Sequence, residues 1–141
     1  MTKRTDIGAD LTKNQSLVMS ALAGSKGPMS AYSILDEIRS DGVRAPLQVY
    51  RALDKLVEFG LVHRLESLNA FVACQHPACD GRKEKTVLFT ICETCGGVQE
   101  LVKDRLSKAI EGLARELEFS PSKSTIELRG MCSACKTATE N

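Results

Sequence analysis

Apolar residues recur at helical spacing in three segments of the first sixty positions. The apolar side chains that share one face are Leu17, Val18, Ala21 and Leu22, then Ile34, Leu35 and Ile38, then Val49, Leu53, Leu56 and Val57. Such spacing is typical of amphipathic helices that pack on a common core. Thr12 and Ser30 are suited to cap the first two helices, and Pro46 stands at the favoured first position of the third.

The pattern changes from helical to strand-like after Gly60. Residues 61–65 and 70–74 are largely apolar or alternating, and they flank the short polar stretch Ser67-Leu68-Asn69, which predicts a β-hairpin. Three short helices followed by a hairpin are typical of a winged helix-turn-helix, in which the third helix enters the major groove of DNA. We therefore predict a DNA-binding domain over residues 1–75.

The outer face of the third helix carries the side chains that could contact DNA. Gln48, Arg51 and Lys55 follow one another at spacings of three and four residues, and Tyr50 lies beside them. Arginine can pair with guanine and glutamine with adenine, whereas lysine or tyrosine can hold a phosphate. The alternative interpretation is a solvated polar helix face with no partner.

The second half of the chain predicts a smaller α/β domain. Residues 76–85 are polar and read as a linker. A buried strand (86–92), a short strand (97–101), an amphipathic helix (102–117) and a returning strand (124–128) then follow over residues 86–141. The fold class is therefore α+β. So short a domain is expected to gain stability from a bound metal and from a partner subunit.

Two Cys-x-x-Cys pairs, Cys92/Cys95 and Cys132/Cys135, carry the strongest chemical signal in the chain. Four thiolates form a complete tetrahedral shell for zinc, with no open position for catalysis. The 36 residues between the pairs predict that the metal joins distant segments, so that zinc binding contributes folding free energy. The alternatives are redox dithiols or disulfides.

Composition limits the classes of partner. The net charge of the 141 residues is +1, with nine basic against eight acidic residues in positions 1–74 and ten against ten in positions 75–141. Any contact with nucleic acid must therefore come from a local patch rather than a global field. With no secretory signal or long apolar run, the six cysteines indicate cytoplasmic thiols and metal ligands, with no membrane span.

A second group of possible metal ligands surrounds the join between the two halves. It comprises His63 and Cys74 in the hairpin, His76 and Cys79 in the linker, and Glu100 beyond the first cysteine pair. Mixed histidine, cysteine and carboxylate ligands make a more exchangeable zinc site than four thiolates do. The alternatives are a surface histidine, a small buried cysteine and a solvated glutamate.

Three motifs together resemble the ferric uptake regulator family. They are PLQVYRAL at residues 46–53, GLVHRLESLNAFVAC at 60–74 and ICETCG at 91–96, within a similarity over roughly residues 12–136. The chain is most similar to the zinc uptake regulators within that family. The resemblance implies a homodimeric, metal-activated transcription repressor, with a winged-helix domain followed by a dimerisation domain.

The resemblance also implies roles for individual residues. Arg51 matches a position that contacts bases, and Tyr32 matches a tyrosine that contacts DNA. The structural zinc would be held by Cys92, Cys95, Cys132 and Cys135. His63, Cys74 and Glu100 would be three ligands of the regulatory zinc.

The chain departs from the family pattern at two places. In related proteins the fourth regulatory ligand is usually a histidine in the linker, often nearer the first cysteine pair, but residues 82–85 read Arg-Lys-Glu-Lys here. His76 is therefore expected to take its place, with Cys79 as the alternative. The His-x-His cluster that iron and peroxide sensors carry before the first cysteine pair is also missing, and the whole chain has only two histidines. Because iron(II) favours several imidazoles and carboxylates, this loss favours zinc.

We therefore expect a zinc-responsive repressor with about two zinc ions per chain and no enzymatic activity. It would bind operator double-stranded DNA as a zinc-loaded homodimer and shut down zinc-uptake genes, with no small-molecule substrate. The alternatives are an iron, manganese or peroxide regulator of the same family, a thiol redox protein stabilised by zinc, and a zinc-stapled adaptor without a DNA role.

Overall fold

Residues 10–74 and 86–140 are described by a computed structural model, and they belong to two separate units. The first unit runs through α1 (Lys13–Ala23), α2 (Ala31–Ile38), a short 3-10 turn (Arg39–Asp41), α3 (Pro46–Glu58), β1 (Val62–Leu65) and β2 (Ala70–Ala73). The second contains β3 (Val87–Cys92), β4 (Val98–Leu101), α4 (Asp104–Glu116), β5 (Thr125–Gly130) and α5 (Ser133–Glu140). The predicted α+β class is confirmed.

Local interactions fix the starts of the first two helices and the end of the 3-10 turn. Thr12 and Gln15 form a reciprocal capping box, because each side chain accepts a hydrogen bond from the other's backbone amide. The Ser30 hydroxyl accepts from the Ser33 amide at the start of α2. Gly42 then takes a positive φ of 102°, a conformation that residues with a side chain rarely adopt.

One apolar core closes the first unit. Fifteen buried apolar residues from the three helices and the hairpin form a single cluster, and Ile34, Leu53 and Leu56 are among its largest fully buried side chains. Met29 pairs with Phe71 through two backbone hydrogen bonds of 3.0 and 2.8 Å, so that the hairpin is tied to the segment before α2. The predicted winged-helix pattern of three helices and a hairpin is confirmed for this unit.

A three-stranded sheet forms the second unit, in the order β4-β3-β5. The pairing of β3 with β4 is antiparallel, whereas that of β3 with β5 is parallel and joins segments far apart in sequence. Thr86 links three elements of this unit. Its amide donates to the Ser107 hydroxyl on α4, and its hydroxyl donates to Ser124 just before β5.

The chain ends in a helix that the sequence pattern did not predict. Residues 133–140 form α5, directly after Cys132. The predicted domain limits of 1–75, 76–85 and 86–141 include residues outside the described ranges and stay a prediction. None of the helices in residues 10–74 and 86–140 has the length and apolar character of a membrane span.

Candidate metal centre and nucleic-acid interface

The ends of β3 and β5 bring the two cysteine pairs together. In the parallel ladder Cys92 is the register partner of Gly130, so the turn after β3 lies beside the segment that leads from β5 into α5. The Glu93 amide donates to the Gly130 carbonyl at 2.7 Å and extends the pairing past the strand. Gly96 has a φ of 77° and lets the first turn fold back on Cys92, whose carbonyl accepts from the Gly96 amide.

The four sulfurs fit a tetrahedral metal ion. The Sγ atoms of Cys92 and Cys135 are 3.7 Å apart, those of Cys95 and Cys132 are 3.9 Å apart, and all four lie within 4.8 Å of one another. Zinc–sulfur bonds of about 2.3 Å in a tetrahedron require sulfur–sulfur separations of about 3.8 Å. The predicted clustering of both pairs is therefore confirmed, and its spacing suits zinc.

Backbone amides stabilise negative charge on the sulfurs. The amides of Cys132 and Cys95 each donate to the Cys92 sulfur at 3.4 Å, and together they lower the pKa of Cys92 to about 5. The side chains of Cys132 and Cys92 raise the pKa of Cys135 to about 12. The surroundings thus favour negative charge on Cys92 and disfavour it on Cys135, so metal binding to all four thiolates would release protons.

The hairpin of the first unit carries two of the predicted regulatory ligands. His63 is the register partner of Val72, and Cys74 lies two residues beyond that partner on the same face of the ladder. A ring nitrogen of His63 and the Cys74 sulfur lie within 4.8 Å of each other. Cys74 is buried and disulfide-bonded, so it must be reduced before it can bind a metal ion.

The remaining regulatory candidates lie elsewhere in the chain. Glu100 is half-buried on β4 of the second unit, opposite Phe89 in the antiparallel ladder. His76 and Cys79, the two candidates for the fourth ligand, lie outside the described residues. The regulatory ligand set therefore stays a prediction.

Tyr32, Arg51 and Lys55 are exposed among the predicted DNA-contacting residues. Tyr32 is 62% exposed near the start of α2, and Arg51 is exposed on the outer face of α3. Lys55 is exposed one turn further along and pairs with Glu58 at 3.2 Å. Tyr50 is half-buried and packs against the core. This leaves Tyr32, Arg51 and Lys55 accessible to a partner.

Gln48 has a structural role that its assignment as a base reader did not include. Its Oε1 accepts hydrogen bonds from the amides of Arg44 and Ala45, both at 3.2 Å, and so caps the start of α3. A bidentate pair with adenine uses both the oxygen and the nitrogen of the amide. Gln48 would have to release the cap to form such a pair.

Two side chains of functional interest were not singled out by the sequence pattern. Leu47 is 57% exposed in the first turn of α3. Arg64 on β1 pairs with Glu66 at 3.5 Å, donates to Asn69 at 3.2 Å and lies over the Phe71 ring, so it braces the hairpin turn. The period of the buried stripe already placed Leu47 outside the core, whereas no sequence signal indicated the contacts of Arg64.

The family model for the ferric uptake regulator family matches residues 6–129. The chain belongs to the ferric uptake regulator family. It is 36% identical over 126 residues to the zinc uptake regulation proteins of Escherichia coli (strain K12) and Shigella flexneri, covering 89% of this chain and 72% of each relative. The chain is thus a homologue of zinc uptake regulators, a transcription regulator and not an enzyme.

Solved structures of family members show the same fold. A zinc uptake regulator complexed with zinc and DNA superposes with a TM-score of 0.85 at 31% identity, and each chain is covered completely. The crystal structure of holo XcZur gives a TM-score of 0.79 at 38% identity, covering 90% of this chain and 86% of that one. The ferric uptake regulator of Helicobacter pylori shares the fold at 20% identity, with a TM-score of 0.59.

Proposed function

We propose that this chain is a zinc-responsive repressor that binds operator DNA as a zinc-loaded homodimer and shuts down zinc-uptake genes in the cytoplasm. The observation that carries the proposal is the full-length likeness to a zinc uptake regulator complexed with zinc and DNA, together with four sulfurs at zinc-like spacing. Each chain would hold two zinc ions, one structural and one regulatory.

The structural zinc would be held by Cys92, Cys95, Cys132 and Cys135. Four sulfur ligands fill the shell of the ion, so zinc at this site has no free position at which to bind a substrate. Its contribution would be to hold the ends of β3 and β5 and the start of α5 together. This site would stabilise the fold rather than sense zinc, because four thiolates exchange a bound zinc ion less readily than mixed ligands do.

The regulatory zinc would be bound by His63, Cys74 and Glu100, with His76 as the fourth ligand and Cys79 as the alternative. The ligands come from both units, so zinc binding would favour one arrangement of the two. A ligand shifts such an equilibrium only by its differential affinity for the two states. Moving the competent state from about 1% to 99% requires roughly 5.5 kcal/mol of preference.

DNA recognition would use α3 of each protomer in the major groove. Arg51 would pair with a base, most often guanine, whereas Lys55, Tyr50 and Tyr32 would contact the sugar-phosphate backbone or a base edge. Gln48 would contribute after releasing the helix cap. Two α3 helices in a symmetric dimer would read two half-sites related by two-fold symmetry.

Dimerisation would bury apolar surface that the second unit leaves exposed. Six large apolar side chains of this unit are more than a third exposed, namely Leu101, Leu113, Leu117, Phe119, Leu128 and Met131. Strand β5 also forms an open edge of the sheet. Exposed apolar groups and an unpaired strand edge favour pairing with another chain, here a second copy.

The test is binding of the reduced, purified protein to the DNA upstream of its own gene at a stated salt concentration, while free zinc is varied and bound metal is measured. We expect tight binding only with two zinc ions per chain, and no equivalent activation by iron(II) or manganese(II). Activation by iron(II) or manganese(II) at equal free concentration would support the rival regulators of the family. DNA binding independent of any metal would refute the proposal.

Variants of the regulatory ligands test the sensing mechanism. His63→Ala and Glu100→Ala should each keep a folded protein with its four-thiolate zinc but lose zinc-dependent DNA binding. His76→Ala should behave in the same way if His76 completes the shell, whereas Cys79→Ser should then stay close to wild type. If both His63→Ala and Glu100→Ala kept the zinc dependence of DNA binding, the proposed regulatory site would be refuted.

A further inference from the structure

Leu47 is the large apolar side chain on the otherwise polar outer face of α3. The inward face of the helix carries Val49, Leu53 and Leu56, which are fully buried, whereas Leu47 is 57% exposed. It stands at the second position of the helix, directly after Pro46. The core therefore gives no packing role to this leucine.

Leu47 and Arg51 are neighbours on the surface of the helix. A separation of four residues places one side chain a single turn from the other, and Lys55 continues the same row. Gln48, the other exposed side chain of the first turn, is held by the backbone amides of Arg44 and Ala45. Leu47 and Arg51 are thus the exposed side chains left free to meet a partner in the first two turns of α3.

The position of Leu47 matches the part of a recognition helix that meets DNA bases. Recognition helices contact base edges chiefly with their N-terminal residues. A leucine has no donor or acceptor, so it gains only from an apolar group on the base. In the major groove thymine alone presents such a group, its C5-methyl.

We propose that Leu47 determines specificity by contacting the methyl group of one thymine in each operator half-site, next to the base that Arg51 reads. This inference rests on the proposed function, because it requires that α3 enters the major groove of operator DNA. Removal of one buried methyl group is expected to weaken binding about three- to five-fold per half-site.

Replacement of thymine by deoxyuridine tests the contact directly, because it removes the methyl group and keeps the base pair. The probe is a duplex selected from a random library by the reduced, zinc-loaded wild-type protein. Deoxyuridine is placed at each thymine in turn, symmetrically in both half-sites, and the dissociation constant is measured. We expect one position at which the substitution weakens wild-type binding about tenfold or more, as the product of the two half-sites.

Three variants separate the contact from general effects. Leu47→Ala keeps a good helix former at an exposed position, so the variant should stay folded. Because the leucine side chain is lost, it should bind the thymine duplex and the deoxyuridine duplex equally. Leu47→Met retains an apolar side chain and should keep most of the preference for thymine. Leu68→Ala removes another exposed leucine of the same unit, from the hairpin turn, and should leave the preference unchanged.

The results distinguish failure of this inference from failure of the proposed function. If wild type binds DNA with zinc dependence but Leu47→Ala keeps the full preference for thymine, Leu47 does not read the base. The same conclusion follows if wild type has no deoxyuridine-sensitive position, or if Leu47→Ala changes only the oligomeric state. Failure to select any zinc-dependent duplex overturns the proposed function itself, and this inference with it.

Discussion

The two units of this chain differ in how completely they bury their own apolar surface. Residues 10–74 gather fifteen buried apolar side chains in one cluster, to which three helices and the hairpin contribute. In residues 86–140 the buried residues are few: Phe89, Ile91 and Cys92, with Thr86 and Ser107 as buried polar groups. Helix α4 buries only Ser107, although it is strongly amphipathic.

The difference indicates that the second unit draws its stability from outside its own core. A small apolar core does not offset the conformational entropy of a chain of this length, so a metal or a partner subunit has to contribute. The four cysteines provide a site for the metal, and the exposed apolar side chains provide a surface for the partner subunit. The first unit has the closed core expected of a rigid reader of DNA.

The largest expected effect comes from breaking the four-sulfur site. Cys95→Ser removes one ligand, and structural zinc sites of this kind contribute apparent binding free energies on the order of 10 kcal/mol to folding. We expect the variant to lose its tightly held zinc and its dimer. Cys74→Ser is the matched control, since it removes a cysteine outside this site and should retain the zinc of the four-sulfur site, although it removes a proposed ligand of the regulatory zinc. Metal analysis with sedimentation would show this, and a zinc-loaded, dimeric Cys95→Ser protein would contradict it.

The next effect tests the core of the first unit. Leu53 is fully buried, so Leu53→Ala should lower the free energy of unfolding of that unit by about 2–5 kcal/mol, through lost burial and a cavity. The bound zinc should remain, because the metal stabilises the other unit. Denaturant unfolding followed together with zinc release would measure both. Zinc loss that coincides with unfolding of the first unit would show that the units are not independent.

Arg51→Ala should weaken operator binding by about 1–3 kcal/mol and relax the preference for one base pair per half-site. Lys55→Ala is the matched comparison, because a phosphate contact weakens binding on all sequences alike and lowers the salt dependence. Neither change should alter the oligomeric state or the zinc content. Binding to a panel of single-base variants of the operator would separate the two roles, and equal base preferences in Arg51→Ala and wild type would exclude base reading by Arg51.

The smallest effect on folding is expected from the exposed apolar face of the second unit. Leu117 is 77% exposed, so Leu117→Ser should change monomer stability by less than about 0.5 kcal/mol. It should nevertheless raise the dimer dissociation constant, if a second copy covers this face. Sedimentation over a range of concentrations would detect the change. An unaltered dissociation constant, in a variant that also carries Phe119→Ser, would place the dimer interface elsewhere.

Features governed by local interactions were predictable from the sequence. The three helices of the first unit follow from apolar periodicity and from capping by Thr12 and Ser30, which are contacts within four residues. The four-cysteine site was equally predictable from the sequence, because zinc takes four cysteine ligands from two such pairs whatever lies between them. Helix α5 was missed because its sequence, SACKTATE, has no apolar stripe. The helix begins directly after Cys132, the first residue of the second cysteine pair.

Other features depend on competition or on distant segments and could not be derived in the same way. Gln48 was assigned to adenine, but the nearby backbone amides compete for its oxygen and hold it at the cap. The predicted regulatory ligands His63 and Glu100 have no periodic signal in common, since 36 residues lie between them. Their place around the linker and the family resemblance suggested the set, which stays a prediction.

Amide hydrogen exchange along the full chain can decide whether zinc stabilises residues 86–140 while residues 10–74 are stable on their own apolar core. The reduced protein would be compared with bound zinc and after complete removal of zinc by a strong chelator. We expect β3, β5 and α4 to lose their protection without zinc, while α1, α3 and the hairpin keep theirs. Equal loss of protection in both units, or full protection of β3 and β5 in the metal-free protein, would contradict this division of stability.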